Sequence, residues 1–348
     1  MRAAGNLPDC SFVDLAVSAI IPVHNAGADL PRCLEALRRS SLPPAECIVV
    51  DDGSTDNSAA IARAAGALVL ATGQRKGPAH ARNLGAKAAS GHLLLFLDAD
   101  VAVRKDTIQR LAARFQENPP ADAAIGSYDD DPAGGGVISQ YKNLQHHYVH
   151  QCGSEEANTF WTGCGMIRRD VFFLAGGFDE RFSAPSIEDI ELGYRLRAAG
   201  RRIVLEKRAM VKHYKRWTLA SWLHTDIFLR GVPWTELTLR HRRLPNDLNV
   251  STGQRASVAL VWGSLPAFAA SAMTGSPAPA FAGLLALSAV LAINAPFYRF
   301  LAARRGAPFA ALAAVLHLLY FTYCGLAGGL GVLRFLWRRR RLETPGPP

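Results

Sequence analysis

Charge is what the last quarter of this chain lacks. Charged residues make up 20% of the 348 residues, yet they nearly vanish from Ala256 to Trp337, leaving long runs of Ala, Leu, Val and Phe. Runs of that length divide the chain into a soluble region and a membrane region. Paired cysteines are missing as well. Cys10, Cys33, Cys47, Cys152, Cys164 and Cys324 are scattered, which argues against a zinc site or a disulfide framework and fits a reducing compartment. The segment MRAAGNLPDC has no apolar core of the signal-peptide kind, so the region after it is expected in the cytoplasm. No GxGxxG turn follows the first strand-like run, which excludes a dinucleotide oxidoreductase. A nucleotidyltransferase would want a Gly-rich, Lys- or Arg-bearing loop there, and PVHNAGADL is not one. Acidic residues are too few to balance the basic ones, and the net charge is +10. The Arg clusters (Arg240, Arg242 and Arg243; Arg304 and Arg305; Arg338 to Arg341) lie beside apolar segments, so anionic lipid rather than nucleic acid is the partner they imply.

What is present centres on His92 to Asp100, HLLLFLDAD. An apolar run bounded by Gly91 and ending in two carboxylates reads as a buried parallel strand that delivers Asp98 and Asp100 to the ligand-binding edge of an open α/β sheet. Two carboxylates one residue apart there suit a divalent cation that also holds phosphate oxygens; a polar strand end leading into a helix after Lys105 is the plainer reading. Upstream, Val17 to Val23 reads as strand one, ending at His24-Asn25. A helix follows with Leu30, Cys33, Leu34 and Leu37 on one face, closed by Pro43-Pro44. Glu46 to Val50 is strand two and runs into Asp51-Asp52-Gly53-Ser54; Leu68 to Leu70 is strand three; Gly77 to Ala89 is a helix. Strand and helix alternate with short connections, which implies a parallel, right-handed α/β sheet.

AIIPVHN, IVVDDGSTDNS, ARNLGAKAASG and LFLDAD, followed by FWTGCGMIRRDVFFLAGGFDERF and IEDIELGYRLRAAG, resemble in order and spacing the GT-A glycosyltransferases of family 2. The resemblance runs from about Val17 to Tyr214. It implies a GT-A, Rossmann-like nucleotide-diphospho-sugar transferase domain. A nucleotide-sugar would be held by Pro22, His24, Asn25, Asp51, Asp52, Gly53, Arg82 and Asp98, with Asp52 accepting from the uracil ring N–H and Asp51 in support. The family often has Tyr at the His24 position and Glu at the Ala26 position, so the base and ribose contacts differ here. The resemblance also implies a divalent metal, Mg²⁺ or Mn²⁺, on Asp98 and Asp100, with His213 as third ligand. Asp189 would be the general base and Glu188 would orient the acceptor; acidic residues at a helix start are equally expected from the macrodipole. Arg82 either reaches the nucleotide or pairs with a carboxylate. Trp161 stacks on a sugar or packs in the core, and Gly163 lets sugar and backbone approach. Asp129 to Gly136 is a turn-rich loop that could lie over the acceptor. Cys164 lacks a paired His and is not expected to be a nucleophile.

The expected division is an N-terminal extension (1–15), the GT-A domain (16–214), interfacial amphipathic helices (215–250) and a transmembrane region with a basic tail (251–348). Trp217, Trp222, Phe228, Leu229 and Trp234 mixed with Lys215, Arg216 and Arg230 suit a helix in the membrane interface. KRW at Lys215 to Trp217 is only a fragment of the QxxRW motif of processive synthases, so single-sugar transfer is expected. Of three apolar segments, Ala280 to Leu301 and Ala307 to Trp337 are long enough to span, whereas Ala256 to Met273 carries Gly263 and Pro266 and is marginal. The expectation is an inverting glycosyltransferase of the inner membrane with a cytoplasmic catalytic domain and a lipid or lipid-linked glycan acceptor. Transfer to a polyprenyl phosphate, or a non-catalytic scaffold that binds sugar nucleotide, are the alternatives.

Overall fold

The structure, a computed structural model, describes residues 16–242 and 248–343. The expected N-terminal extension, Cys10, Arg243 and the end of the basic tail lie outside the described residues, as do the side chains of Arg340 and Arg341. In chain order the strands are β1 (Val17–Val23), β2 (Glu46–Asp51), β3 (Leu68–Ala71), β4 (Leu93–Leu97), β5 (Val101–Val103), β6 (Ala123–Tyr128), β7 (Cys164–Arg168) and β8 (Ile203–His213). They form one sheet in the order β3-β2-β1-β4-β7-β6-β8-β5. The first four positions are parallel, as the alternating pattern predicts. Past β4 the sheet turns mixed: β7 runs antiparallel to β4 and β6, β8 parallel to β6, and β5 antiparallel to β8. A wholly parallel sheet is therefore corrected to a mixed one.

Helices α1 (Leu30–Arg38), α2 (Ser58–Ala64), α3 (Pro78–Ala88), α4 (Thr107–Ala113), α5 (Val137–Cys152), α6 (Arg169–Leu174) and α7 (Glu188–Ala198) accompany the sheet. Successive strand side chains point to opposite faces, so β1 and β4 feed two cores. Ile21, Leu95 and Leu97 pack with Leu30, Leu34 and Leu111 of α1 and α4; Ile20, Leu94 and Phe96 pack with Ala86, Phe172 and Leu192 of α3, α6 and α7. At Gly85 the approach of α3 to the sheet leaves no room for a side chain, because a Cβ there would stand 2.5 Å from Ile20 Cγ2.

After β8 come α8 (Leu219–His224), a π-helical turn (Thr225–Gly231), α9 (Val232–His241), α10 (Thr252–Thr274), α11 (Pro277–Ile293), α12 (Ala295–Arg305) and α13 (Ala307–Glu343). The helix expected over Trp217 to Leu239 is present as one unbroken helical run from Leu219 to His241, with the π-helical turn inside it. α10 and α13 are long and apolar enough to cross a membrane, while α11 and α12 together would make one span bent by 59°. The membrane expectations change accordingly. The first apolar segment is an unbroken helix that accommodates Pro266, and the second is broken at Asn294, where Pro296 has no N–H for the α11 ladder and Asn294 Nδ2 donates to Val290 O and Ser257 Oγ. A third core joins the region to α5: Tyr141 and Leu144 pack with Trp222, Ile227, Phe297 and Phe321.

Candidate active site

β4 ends at Leu97, and Asp98 to Asp100 form the turn into β5. The β5–β8 register sets Val101 against His213, and Tyr214 N–H donates to Asp100 O at 2.9 Å. Residues 113 positions apart are brought together in this way, with His213 Nε2 3.6 Å from Asp100 Oδ2. Burial works to raise the Asp100 pKa, but the facing His213 and Lys215 outweigh it and hold this carboxyl below its ordinary value. Asn143 Oδ1 accepts from His213 Nδ1 at 2.8 Å. Nδ1 is thereby engaged, and Nε2 is the ring atom turned towards Asp100, where it either donates to that carboxylate or, without its proton, meets a shared cation. Tyr128 stacks on the same ring at 4.2 Å.

Asp98 does not join them. Arg82 is buried, and its two terminal nitrogens donate to Asp98 Oδ1 at 2.8 Å and to Glu188 Oε1 at 2.7 Å. Among the described residues no group of three or more His, Cys, Asp or Glu side chains is arranged to hold a metal. Of the expected triad, the structure brings Asp100 and His213 together, while Asp98 Oδ1 accepts from the guanidinium fork of Arg82. The donor chemistry of that pair, one carboxylate oxygen and one imidazole nitrogen, fits part of the shell of a divalent cation whose other ligands come from phosphates and water. Arg82 makes the carboxylate pairing of its second reading and also lines the cleft.

On the nucleotide side, Asp52 is buried, and both its oxygens meet donors of the chain itself. Oδ1 accepts from Lys76 N–H and Thr72 Oγ1, and Oδ2 from Gly77 N–H at 2.8 Å. It therefore shapes the loop before α3, with one lone pair of Oδ2 left over. Asp51 Oδ1 accepts from Ser54 N–H, a turn-closing role. Gly53 adopts φ +71°, and a Cβ there would lie 2.8 Å from Arg75 N. His24 Nδ1 donates to Asp52 O at 2.9 Å, and Asn25 Oδ1 accepts from Thr55 N–H at 2.8 Å. Pro22, His24, Asn25, Asp52 and Arg75 line the cleft.

Glu188 and Asp189 open α7. Glu188 is buried on Arg82 and Asp189 is half-buried; both line the cleft. Its Oδ1 accepts from Ile190 N–H at 2.8 Å and its Oδ2 from Thr162 N–H and Oγ1 at 3.2 Å. Burial and the neighbouring Glu188 charge push its pKa up to about 6, against the pull of Arg82 and Thr162 N–H. Glu188 Oε1 accepts from Arg82 and its Oε2 from Ser186 N–H. Trp161 packs edge-on to Tyr128 and against His146 and His150 while lining the cleft. Gly163 makes room for the Trp161 indole. Cys164 is buried and its thiol is pushed up by burial and Asp98, as an unreactive cysteine should be.

Apart from Asp51, Gly53, Gly163 and Cys164, the expected site residues line one cleft of ≈ 1060 Å³ that continues from Pro22 past Asp100 and Asp189 to Arg255, Val258 and Tyr320 of the apolar helices. Asn143, Thr162 and Arg230 are contributors that motif reading missed. Arg230 sits on the π-helical turn; its one ion pair among the described residues is with Asp226, at 3.9 Å.

The sequence model of glycosyl transferase family 2 matches residues 18–173. Glycosyltransferase GlyG of Streptococcus pneumoniae is 30% identical over 163 residues, 45% of this chain and 54% of that protein. The pre-mycofactocin glycosyltransferase of Mycobacterium tuberculosis is 29% identical over 248 residues, 68% of this chain and 50% of that protein. The chain thus spans about half the length of these curated relatives. Among solved structures, mannosyltransferase PcManGT from Pyrobaculum calidifontis, in complex with GDP-Man and Mn2+, superposes with a TM-score of 0.53 at 18% identity, covering 92% of this chain and 87% of that one. Residues 18–173 are thus similar to glycosyl transferase family 2, and the fold is GT-A.

Proposed function

We propose that the protein is an inverting glycosyltransferase that moves a single sugar from a UDP-sugar to a lipid or lipid-linked glycan at the cytoplasmic face of the inner membrane. One observation carries the reading: a carboxylate with a pKa of about 6, Asp189, shares a continuous cleft with Asp100 and His213 on one side and apolar helices on the other. The free lone pair of Asp52 Oδ2 suits the uracil N–H, with Pro22 and His24 as walls. Asp100 and His213 would hold the divalent cation, which when bound offsets charge on the leaving diphosphate; the GDP-Man and Mn2+ of the structural neighbour support such a site. Asp189 accepts the proton of the acceptor hydroxyl while that oxygen forms its bond to the anomeric carbon. The carbon–oxygen bond to the β-phosphate breaks, the nucleoside diphosphate departs with the electron pair, and the sugar configuration inverts. Arg82 holds Asp98 and Glu188 by hydrogen bonds, which leaves Asp189 as the carboxylate of the Glu188–Asp189 pair that does not bond to the guanidinium.

A second reading, transfer to a polyprenyl phosphate, is favoured by Arg230, a cation at the cleft with only a long ion pair. Nucleotide release by the full chain in detergent, over a panel of UDP-, GDP- and dTDP-sugars with membrane lipid extract, tests both. Lipid-dependent release with one donor, lost in Asp189→Asn, supports the first; equal release by the variant supports the second; no release with any donor refutes both.

A further inference from the structure

Helix α13 meets the test of length and composition for a membrane span, yet its contacts are inconsistent with crossing one. Just before it, Arg305 Nε donates to Gln140 Oε1 at 2.8 Å, and Arg304 pairs with Asp130 at 2.8 Å; both partners belong to the catalytic side, on α5 and the loop before it. At its middle, Tyr323 OH donates to Asp226 Oδ2 at 2.6 Å, and Asp226 is tied to Lys142 of α5. Further on, Ala327 and Gly331 sit where Gly231 and Thr235 leave no spare space. Near its end, Arg334 and Arg338 reach the buried carboxylate of Glu236 on α9, each at 2.9 Å. α9 in turn rests on α7, with Trp234 Nε1 donating to Tyr194 OH at 3.3 Å and Leu237 packed near Ile187.

The segment just before α13 is therefore pinned to the catalytic domain directly, its middle through Asp226 to Lys142 of α5, and its end through α9, which rests on α7. From Ala307 to Arg338 a helix rises ~47 Å, well beyond the ~30 Å of a hydrocarbon core. A helix leaving the domain to cross a bilayer would carry one end away from it. Instead one face of α13 is buried against the domain, through Ala313, Phe321, Tyr323 and Ala327. The opposite face exposes Val315 (62%), Leu326 (44%) and Leu333 (66%).

We infer that α13 is an in-plane beam: it lies along the membrane surface, one side sealed to the catalytic domain and the other sunk into lipid. Penetration is left to the α10–α11 hairpin, which packs on itself at Gly283 and Phe268 and exposes Met273, Phe281 and Leu285 towards its tip. The hairpin goes out and comes back. Arg240, Arg304, Arg305, Arg334 and Arg338 then share the face of the catalytic domain, where anionic headgroups meet them. Three crossings would instead put Arg334 and Arg338 across the bilayer from the catalytic domain, against the positive-inside tendency. The cleft, floored by Tyr320 and Cys324 of α13, opens at headgroup depth.

The test is a depth measurement by spin-label relaxation on the full chain in lipid nanodiscs. Labels are placed singly at Val315→Cys, Leu326→Cys and Leu333→Cys, all exposed positions, with Leu285→Cys as the deep reference. The beam predicts the first three at one shallow depth, within about 5 Å of each other, and Leu285 deeper than all of them. A crossing helix would separate Val315 from Leu333 by up to ~27 Å along the bilayer normal. A graded series through the bilayer centre overturns the inference. So does a C-terminal tag that impermeant reagent reaches only from the face opposite the catalytic domain.

Discussion

Replacing Asp189 by Asn removes a base and a buried charge together, and the two losses have opposite signs. Burial and Glu188 raise this carboxyl from 3.8 to about 6, so the native state holds the proton more tightly than the unfolded chain does. The stability that goes with protonation is present below about pH 4 and is lost as pH rises through about 6. Above that, the ionised group is a cost of up to about 3 kcal/mol. Asn keeps the geometry without the charge. The variant should therefore unfold at a higher temperature than wild type at about pH 7.5, and the difference should shrink towards about pH 4. Transfer should fall by ~10²–10⁴. In the wild type, log kcat/KM should decline with a slope of about one below pH about 6. Thermal unfolding in detergent and donor turnover across the same pH series read both effects. A variant within about threefold of wild-type turnover, or a flat profile through about pH 6, refutes the base assignment. A variant less stable at neutral pH refutes the burial argument.

Three further outcomes follow from the same geometry. Arg82→Met leaves Glu188 buried and unpaired and should cost about 3–5 kcal/mol of stability, read by thermal or denaturant unfolding. Asn143→Leu removes the acceptor that orients His213 and should weaken Mn²⁺ binding by ~10–100-fold, measured by titration of the metal with nucleoside diphosphate present. Unchanged affinity would exclude His213 as a ligand. Gly85→Ala sets a methyl 2.5 Å from Ile20 Cγ2 and should cost about 1–3 kcal/mol without changing which donor is used.

The half of the sheet nearest the N-terminus was legible because buried parallel strands are plain apolar runs, and because strand ends are where LFLDAD and VVDD put their carboxylates. Asp98, Asp100, Asp189 and His213 could be picked from that pattern and from the family resemblance. Their partners could not. The choice of Asp98 by Arg82 depends on Glu188, 106 residues from that arginine, and pairings at that distance leave no periodic signal. Asn143 and Arg230 are unremarkable letters in helical stretches, and each becomes significant only when α5 and the π-helical turn pack beside the sheet edge. In the membrane region composition announced apolar helices but not their directions. Asn294 and Pro296 were the visible sign that the second segment breaks. The sealing of α13 to the domain rests on ion pairs such as Arg338–Glu236, 102 residues apart.

The anomeric configuration of the product, set against that of the donor and read by proton NMR coupling, tests the central claim most directly. Single displacement with Asp189 as base requires inversion. Retention of configuration would contradict the account, because it would require a nucleophile on the enzyme that the cleft, with Asp189 held by Thr162 and Cys164 buried, does not provide.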